Sequence, residues 1–253
     1  MKTMLAIDIG NTNTHLAHFR KNRIIKTLTC ATKSKLSQAT LRKFSSRSEN
    51  ENAIVVSVVP AATRALEKEL LRLTGRRPYI IGKNIKIPMR SLYRDPRSLG
   101  QDRLVNAFAA AALYGAPAII IGLGTAVTFD VVSKDKRHLG GMILPGLELS
   151  LGALSKHTAL LPRVILEDPK ELLGRDTKNS ILSGIVHGYA GLCDALTRKI
   201  KAKIGTNAVV IATGGNARLI SKYSKEIKIV DPKLTLKGIN IIYNSRKRGT
   251  VLS

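Results

Sequence analysis

Residues 119–130 read IIIGLGTAVTFD, an uncharged run of β-branched residues that breaks at Gly-Leu-Gly-Thr and then resumes. A run of this kind predicts a buried strand. A glycine turn at its end lets the backbone come close to a ligand, and backbone N–H groups bind phosphate well. The stretch therefore predicts a strand that turns tightly at a phosphate group.

The same pattern occurs at the N-terminus, where residues 6–14 read AIDIGNTNT. When the two stretches are aligned, Gly10 falls on Gly124 and Thr14 falls on Thr128, with the apolar residues before them in register. The chain thus carries one strand–turn–strand unit twice. We take this as a sign of internal duplication, which predicts a ligand site between the two halves.

The remaining hydrophobic pattern supports a duplicated α/β chain with domains at residues 1–114 and 115–253. The first half predicts strands at 4–9, 15–19, 23–29, 53–59 and 79–81, an exposed basic helix at 34–47, and helices at 61–74 and 104–113. The second half predicts strands at 118–121, 126–133, 139–143, 208–212 and 228–230, and helices at 147–154, 179–201, 217–222 and 236–244.

Charge is the unusual feature of the composition, since 42 Lys and Arg against 17 Asp and Glu give a net charge of +25. The basic residues are scattered along the chain. A basic solvated surface is the first interpretation, a polyanionic ligand the second and functional nucleic-acid binding the third, because no zinc-finger or RNP signature accompanies the charge. Weak, non-specific nucleic-acid binding at low salt is expected in any case.

The two cysteines, Cys30 and Cys193, fit no metal or redox spacing and are expected to be reduced thiols. Asp8 interrupts the apolar N-terminal run, and no uncharged stretch reaches the roughly 20 residues of a membrane helix. These observations predict a cytoplasmic protein.

Three glycine turns follow predicted strands and are candidates for binding a nucleotide phosphate. In the first, Asp8 stands at a strand end before residues 10–14, GNTNT, so that a carboxylate for magnesium precedes hydroxyl, amide and N–H donors. An Asx-type hairpin turn is the alternative for this stretch alone. The second turn is residues 124–128, and the third contains Gly214 and Gly215 before a helix.

A polar segment before the helix predicted at 104–113 is the candidate for catalysis. Asp102 could accept a proton from a substrate hydroxyl, with Arg103 binding an anion and Asn106 one turn further on. The spacing equally allows Asp102 to be only the N-cap of that helix. Residues 140–146, GGMILPG, and the hydroxyl of Thr158 could line a substrate pocket.

Together, in order, these motifs resemble the type III pantothenate kinases of bacterial coenzyme A synthesis, members of the acetate and sugar kinase, Hsp70 and actin superfamily. The resemblance covers nearly the whole chain through AIDIGNTNT, DPRSLGQDRLVNA, GLGTAVTFD, GGMILPGLELSLGAL, TALLPRV, SGIVHGYAGLCDAL, IATGG and DPKLTLKGI. It implies two ribonuclease H-like (actin-like ATPase) domains with an active site between them.

The resemblance also implies a reaction, the ATP-dependent phosphorylation of pantothenate, and a role for each matching residue. It implies Mg²⁺ with ATP, a monovalent cation (K⁺ or NH4⁺), and a homodimer. Asp102 is the implied base, and Asp8 the implied magnesium ligand. The implied ATP-binding residues are Asp8, Gly10, Asn11, Thr12, Asn13, Thr14, Gly124, Thr125, Ala126, Gly214 and Gly215. The implied pantothenate-binding residues are Tyr93, Gly100, Gln101, Asp102, Arg103, Asn106, Gly140, Gly141 and Thr158.

The chain departs from the family pattern at Gly122. The family usually reads Asp-x-Gly-Thr-Ala here, and its Asp helps to organise phosphate and cation, whereas this chain reads GLGTA. Gly122 and the +25 charge motivate a second hypothesis, a catalytically weak or inactive relative that binds a ligand or nucleic acid. A kinase of the same fold with another small hydroxyl substrate is the third.

Overall fold

The computed structural model describes residues 3–33, 40, 41, 44 and 52–247. The helix predicted at residues 34–47 falls largely outside this part of the chain. Its described residues Leu41 and Phe44 are buried in the core of the first sheet, so the expectation that this segment is exposed was wrong for them.

The first compact unit comprises Met1–Arg90, Arg94–Ala109 and Leu234–Ser253. Its sheet has the order β3-β2-β1-β4-β5, in which β1, β2 and β3 are antiparallel neighbours and β4 and β5 run parallel to β1. The strands are β1 Thr3–Ile9, β2 Asn13–Arg20, β3 Arg23–Ala31, β4 Asn52–Ser57 and β5 Tyr79–Ile80. The helices are α1 Pro60–Thr74, α2 Gln101–Leu113, whose last four residues lie beyond the unit boundary, and α6 Leu234–Lys247.

Side chains of the central strand β1 alternate between two cores, as a sheet covered on both faces requires. Leu5 and Ile7 belong to the core that includes Leu66 of α1, whereas Ala6 belongs to the core formed with Phe108 of α2 and with α6. Helix α6 comes very close to α2 at a glycine. A Cβ on Gly238 would lie 2.7 Å from Cγ1 of Val105, so only glycine fits at this crossing.

The second unit comprises Ser91–Tyr93 and Ala110–Lys233, and its sheet has the order β10-β9-β6-β7-β8. Three antiparallel strands are again followed by two parallel ones, so the topology of the first sheet is repeated. The strands are β6 Ala118–Leu123, β7 Ala126–Val132, β8 His138–Pro145, β9 Val209–Thr213 and β10 Ile229–Val230. The helices are α3 Leu147–His157, α4 Thr177–Ile204 and α5 Ala217–Ser221.

The repeated topology confirms the predicted fold class of two ribonuclease H-like domains. The compact units differ from the predicted ranges 1–114 and 115–253 in three places: residues 91–93 and 110–114 belong to the second unit, and the last helix belongs to the first. Helix α6 lies in the first unit because Leu236, Ile239 and Ile242 pack in the core of the first sheet. No helix in the described part of the chain is long and apolar enough to cross a bilayer.

Candidate active site

The turn after β1 is closed by hydrogen bonds from a residue that sequence analysis did not select. Gly10 N–H donates to the carbonyl of Asn13 at 3.0 Å, which forms the tight turn. Thr32 then holds it from outside, since its hydroxyl donates to the carbonyl of Gly10 at 2.7 Å and its N–H donates to the carbonyl of Thr12 at 2.8 Å. The signal available in the sequence was its place, directly after β3, the strand that pairs with β2.

The predicted ATP-binding residues of this turn fall into two groups. Asn11, Thr12 and Asn13 are exposed, where a ligand can reach them. Thr14 is buried, and its Oγ1 lies 3.0 Å from Oγ1 of Thr32. The hydroxyl of Thr14 therefore fixes the turn from inside, and both the hairpin interpretation and a phosphate site remain compatible with this geometry.

Asp8 ends β1 as a half-buried carboxylate. Burial first, and then the negative charge of Asp102, raise the pKa of Asp8 to about 7. Two carboxylates that repel each other in this way form a donor set that suits a divalent cation, because a cation lowers the pKa of both.

Helix α2 begins at Gln101, three residues earlier than predicted. Asp102 therefore lies inside its first turn, and the interpretation of Asp102 as the N-cap of a helix at 104–113 was wrong. Gly100 leaves room for the Asp102 carboxylate, since a Cβ at residue 100 would lie 2.6 Å from its Oδ1. Gln101 packs on Gly82, whose φ of +86° and missing side chain make room for it.

The other two predicted residues of α2 point to different roles. Arg103 is a buried charged residue, with 7% of its surface exposed. Asn106 uses its side-chain carbonyl to accept a hydrogen bond from Thr235 of α6 at 2.8 Å. Asn106 therefore joins two helices, a contact that its spacing from Arg103 did not reveal.

A cleft of about 570 Å³ opens in the first unit beside the start of α2. Of the predicted pantothenate-binding residues it contains Gly100 and Gln101. Its lining residues are Ser57, Val58, Ile81, Gly82, Lys83, Pro96, Arg97, Ser98, Leu99, Gly100 and Gln101.

In the second unit, the two remaining glycine turns pack against each other. Gly214 has a φ of +97°, and a Cβ on it would lie 2.6 Å from the carbonyl oxygen of Leu123. The same carbonyl accepts a hydrogen bond from Asn216 N–H at 3.0 Å. A 3.2 Å hydrogen bond from Gly124 N–H to the carbonyl of Ala126 closes the second turn. This turn is thus directly beside the third turn, which contains the exposed Gly215.

The N-terminus of α3 joins the same cluster. Gly146 N–H donates to the carbonyl of Thr125 at 3.0 Å, and no side chain at residue 146 could be placed without meeting that carbonyl. Asn216 donates from its side chain to both carboxylate oxygens of Glu148, at 3.1 and 2.9 Å. Sequence analysis missed Asn216 and Glu148, which connect α3 to the third turn.

The space beside Gly122 is occupied by a side chain of the neighbouring strand β7. Gly122 pairs with Thr128, and a Cβ on Gly122 would lie 2.5 Å from Oγ1 of Thr128. Asp130, the nearest acid along β7, is 1% exposed and lies 2.9 Å from Nε2 of His138 through Oδ1. A threonine hydroxyl therefore fills the space beside Gly122, the position at which the resemblance implies an aspartate.

The predicted pantothenate-binding residues of the second unit are only partly brought together. Gly140 and Gly141 lie on β8, and the ring of Tyr93 stacks on His138 of the same strand with centroids 6.2 Å apart. Thr158 follows the end of α3, and its hydroxyl donates to the carbonyl of Leu154 at 2.7 Å. Thr158 thus completes a helix end. Among the described residues, no group of three or more His, Cys, Asp or Glu side chains is arranged to hold a metal.

Comparison of the sequence with known proteins identifies the family to which this chain belongs. The family model for type III pantothenate kinases matches residues 4–199. A Listeria welshimeri protein named type III pantothenate kinase is 36% identical over 98% of this chain and 99% of its own length. A Myxococcus xanthus protein of the same name is 40% identical over 95% of this chain and 97% of its own length.

A solved structure extends the likeness to the fold. Component A of the (R)-2-hydroxyglutaryl-CoA dehydratase from Acidaminococcus fermentans is 13% identical, covers 99% of this chain and 100% of its own, and has a TM-score of 0.58. The two repeated sheets with their glycine turns define the class of actin-like folds with two ribonuclease H-like domains. Within that class, the chain belongs to the type III pantothenate kinase family.

The pKa of Asp8 gives the first testable prediction. In the protein without nucleotide or metal, we expect Asp8 to titrate at about 7, and Asp102→Asn to lower that pKa because it removes a negative charge. Burial remains in the variant, so the pKa should stay above the ordinary Asp value of about 4. Carboxyl ¹³C NMR measures both. Asp135→Asn, at an exposed hairpin tip, is the control and should not move Asp8.

The raised pKa also fixes how stability changes with pH. Folded Asp8 keeps its proton to a higher pH than the unfolded chain does, so its contribution to the free energy of unfolding falls as the pH rises from the ordinary Asp pKa of 3.8 to about 7. Urea unfolding of wild type and Asp8→Asn across this range should show the decline in wild type and a weaker one in the variant. If the free energy of unfolding changed with pH in the same way in both proteins, the raised pKa of Asp8 would be contradicted.

The contact between Gly122 and Thr128 gives the third prediction. Gly122→Ala should lower the free energy of unfolding by about 1–3 kcal/mol, because its Cβ overpacks the Thr128 hydroxyl. The same change in a Thr128→Ala background should cost clearly less, since the obstructing hydroxyl is gone. Urea unfolding of the four proteins forms a double-mutant cycle. Additive losses would show that the two residues do not compete for space.

Proposed function

We propose that this chain transfers the γ-phosphoryl group of ATP to the primary hydroxyl of pantothenate, giving 4′-phosphopantothenate in the first step of coenzyme A biosynthesis. The observation that carries the proposal is family membership. Over nearly its whole length, the chain is 36–40% identical to relatives named type III pantothenate kinase. The Asp8 and Asp102 carboxylates, close enough to shift a pKa, support it.

Each residue has a role that phosphoryl transfer requires. Asp102 accepts the proton of the pantothenate hydroxyl, and Arg103 orients the substrate. The turn after β1 and the paired turns of the second unit supply N–H and hydroxyl donors to the phosphates of ATP. Since phosphoryl transfer depends mainly on positioning and on neutralising charge, such a set needs no covalent intermediate.

Asp8 would hold the magnesium ion of ATP directly or through water. When bound, the ion would neutralise the charge that develops on the phosphates. A monovalent cation, K⁺ or NH4⁺, completes the proposal, and the hydroxyl of Thr128 is the oxygen nearest to the place where the family pattern has its aspartate. We further place the reaction in the cytoplasm and assign no specific nucleic-acid partner to the positive charge.

A homodimer is also part of the proposal. Helix α4 exposes Gly184, Gly188 and Gly191 along one face, and no described atom lies within 4 Å of the Cβ positions that these residues lack. Large apolar side chains of the same unit are exposed too, with Leu160 at 91% and Leu173 at 82%. We expect sedimentation velocity to give a dimer, and Gly188→Glu to shift it toward monomer by placing a charge on the flat face. A monomeric wild type would contradict this assembly.

The central experiment is ATP turnover by the purified chain with magnesium and potassium, with and without pantothenate. We expect pantothenate-dependent release of ADP. Asp102→Asn should lower that rate by at least about 100-fold, because a positioned base contributes about 10²–10⁴ to the rate. ATP binding, measured by calorimetry, should be retained.

Asp135→Asn is the matched control, since it also neutralises one aspartate but at an exposed hairpin tip. Unchanged turnover in Asp102→Asn would refute the role of Asp102 as base. A folded wild-type protein that binds ATP without turnover would favour the inactive relative. Activity with another hydroxyl compound but not pantothenate would favour the third hypothesis.

A further inference from the structure

His138 is a buried histidine to which the sequence analysis assigned no role. It is the first residue of β8 and is 0% exposed. Both ring nitrogens have partners in the second unit. Nε2 lies 2.9 Å from Oδ1 of Asp130, and Nδ1 lies 2.9 Å from Oγ of Ser91.

The hydrogen-bond partners define a chain with one consistent direction. A carboxylate only accepts, so Nε2–H of His138 donates to Asp130, and in the neutral imidazole Nδ1 is then an acceptor. The Ser91 hydroxyl then donates to Nδ1, while its oxygen accepts from Tyr93 N–H at 3.2 Å. One continuous chain therefore links the buried Asp130 carboxylate to the backbone of Tyr93.

His138 holds the segment 91–93 in two further ways. Ser91 and His138 form an isolated parallel bridge, in which Leu92 N–H donates to the carbonyl of His138 at 2.8 Å. The ring of Tyr93 lies over the imidazole with an angle of 29° between the planes. Backbone, side-chain hydrogen bond and ring contact thus all fix this short segment to one histidine.

The strand that holds this segment also carries the two glycines expected to bind pantothenate. Gly141 pairs with Asp130 on β7, and Gly140 pairs with Val131. His138 is two residues before Gly140 on β8. The buried chain of hydrogen bonds therefore connects Tyr93 to the strand that carries Gly140 and Gly141. All three residues belong to the predicted pantothenate-binding residues.

We propose that Asp130, His138 and Ser91 act as a positioning relay that fixes Tyr93 beside the Gly140–Gly141 strand for pantothenate binding. The inference rests on the proposed function. A buried network in which every member is satisfied is rigid, and it holds one arrangement of the segment it bonds. His138 itself is too deeply buried to touch substrate, so the three residues act through Tyr93.

Ser91→Ala tests the relay, because it removes the link between His138 and Tyr93 and leaves the buried Asp130–His138 pair intact. Ser91 is half-buried, and the change leaves Nδ1 of His138 without its hydroxyl partner. We expect KM for pantothenate to rise about tenfold, the worth of a hydrogen bond, with kcat and KM for ATP within twofold of wild type. Hydrogen exchange of the Tyr93 amide should accelerate.

Ser133→Ala is the matched control. The Ser133 hydroxyl also accepts a backbone N–H, from Arg137 at 3.0 Å, but in the β7–β8 hairpin. Ser133→Ala should change neither KM for pantothenate nor the hydrogen exchange of the Tyr93 amide. Tyr93→Ala should raise KM for pantothenate, and adding Ser91→Ala to it should raise KM no further, since the relay acts only through Tyr93.

The outcomes separate the relay from the proposed function. Faster exchange at Tyr93 with an unchanged KM would make the relay purely structural and overturn the inference, as would no change in either. A fall in kcat together with a comparable rise in KM for ATP would also overturn it, because such changes indicate general damage to the protein. Absence of pantothenate turnover in wild type would instead refute the proposed function itself.

Discussion

The central strand of each sheet ends in a turn where backbone lies against backbone, and the arrangement of the candidate site depends on that close contact. In the second unit Gly146 and Gly214 meet carbonyl groups of residues 123–125 at distances that no Cβ could share. Glycine at these positions is a steric requirement, and it brings the start of α3 and the turn before α5 to the end of β6. In the first unit the corresponding turn is closed by Thr32.

Folding of the first unit also places two carboxylates near each other, against their mutual repulsion. Asp8 is the residue before the last of a buried strand, and Asp102 lies in the first turn of α2. Burial first, and then the charge of Asp102, raise the pKa of Asp8 to about 7. Such an arrangement costs stability in the free protein. It is useful where a cation or a transferred proton is to be bound, which is the situation in phosphoryl transfer.

The two halves of the duplication have diverged in the chemistry at their strand ends. Where β1 ends with a carboxylate, β6 has Gly122, and the hydroxyl of Thr128 takes up the space beside it. The acid that remains on β7, Asp130, is turned to His138 and is buried. One sheet thus presents negative charge at its turn, while the other uses its acid to organise a neighbouring segment.

The sequence by itself determined the strands, the duplication, the glycine turns and the family, because hydrophobic period and local turn chemistry are properties of neighbouring residues. Only the tertiary structure decided which distant residues meet. Thr32 on Gly10, Thr128 beside Gly122, Ser91 on His138 and α6 in the first core all join positions whose spacing carries no signal. Such contacts follow from how sheets and helices pack, and a one-dimensional pattern does not contain that information.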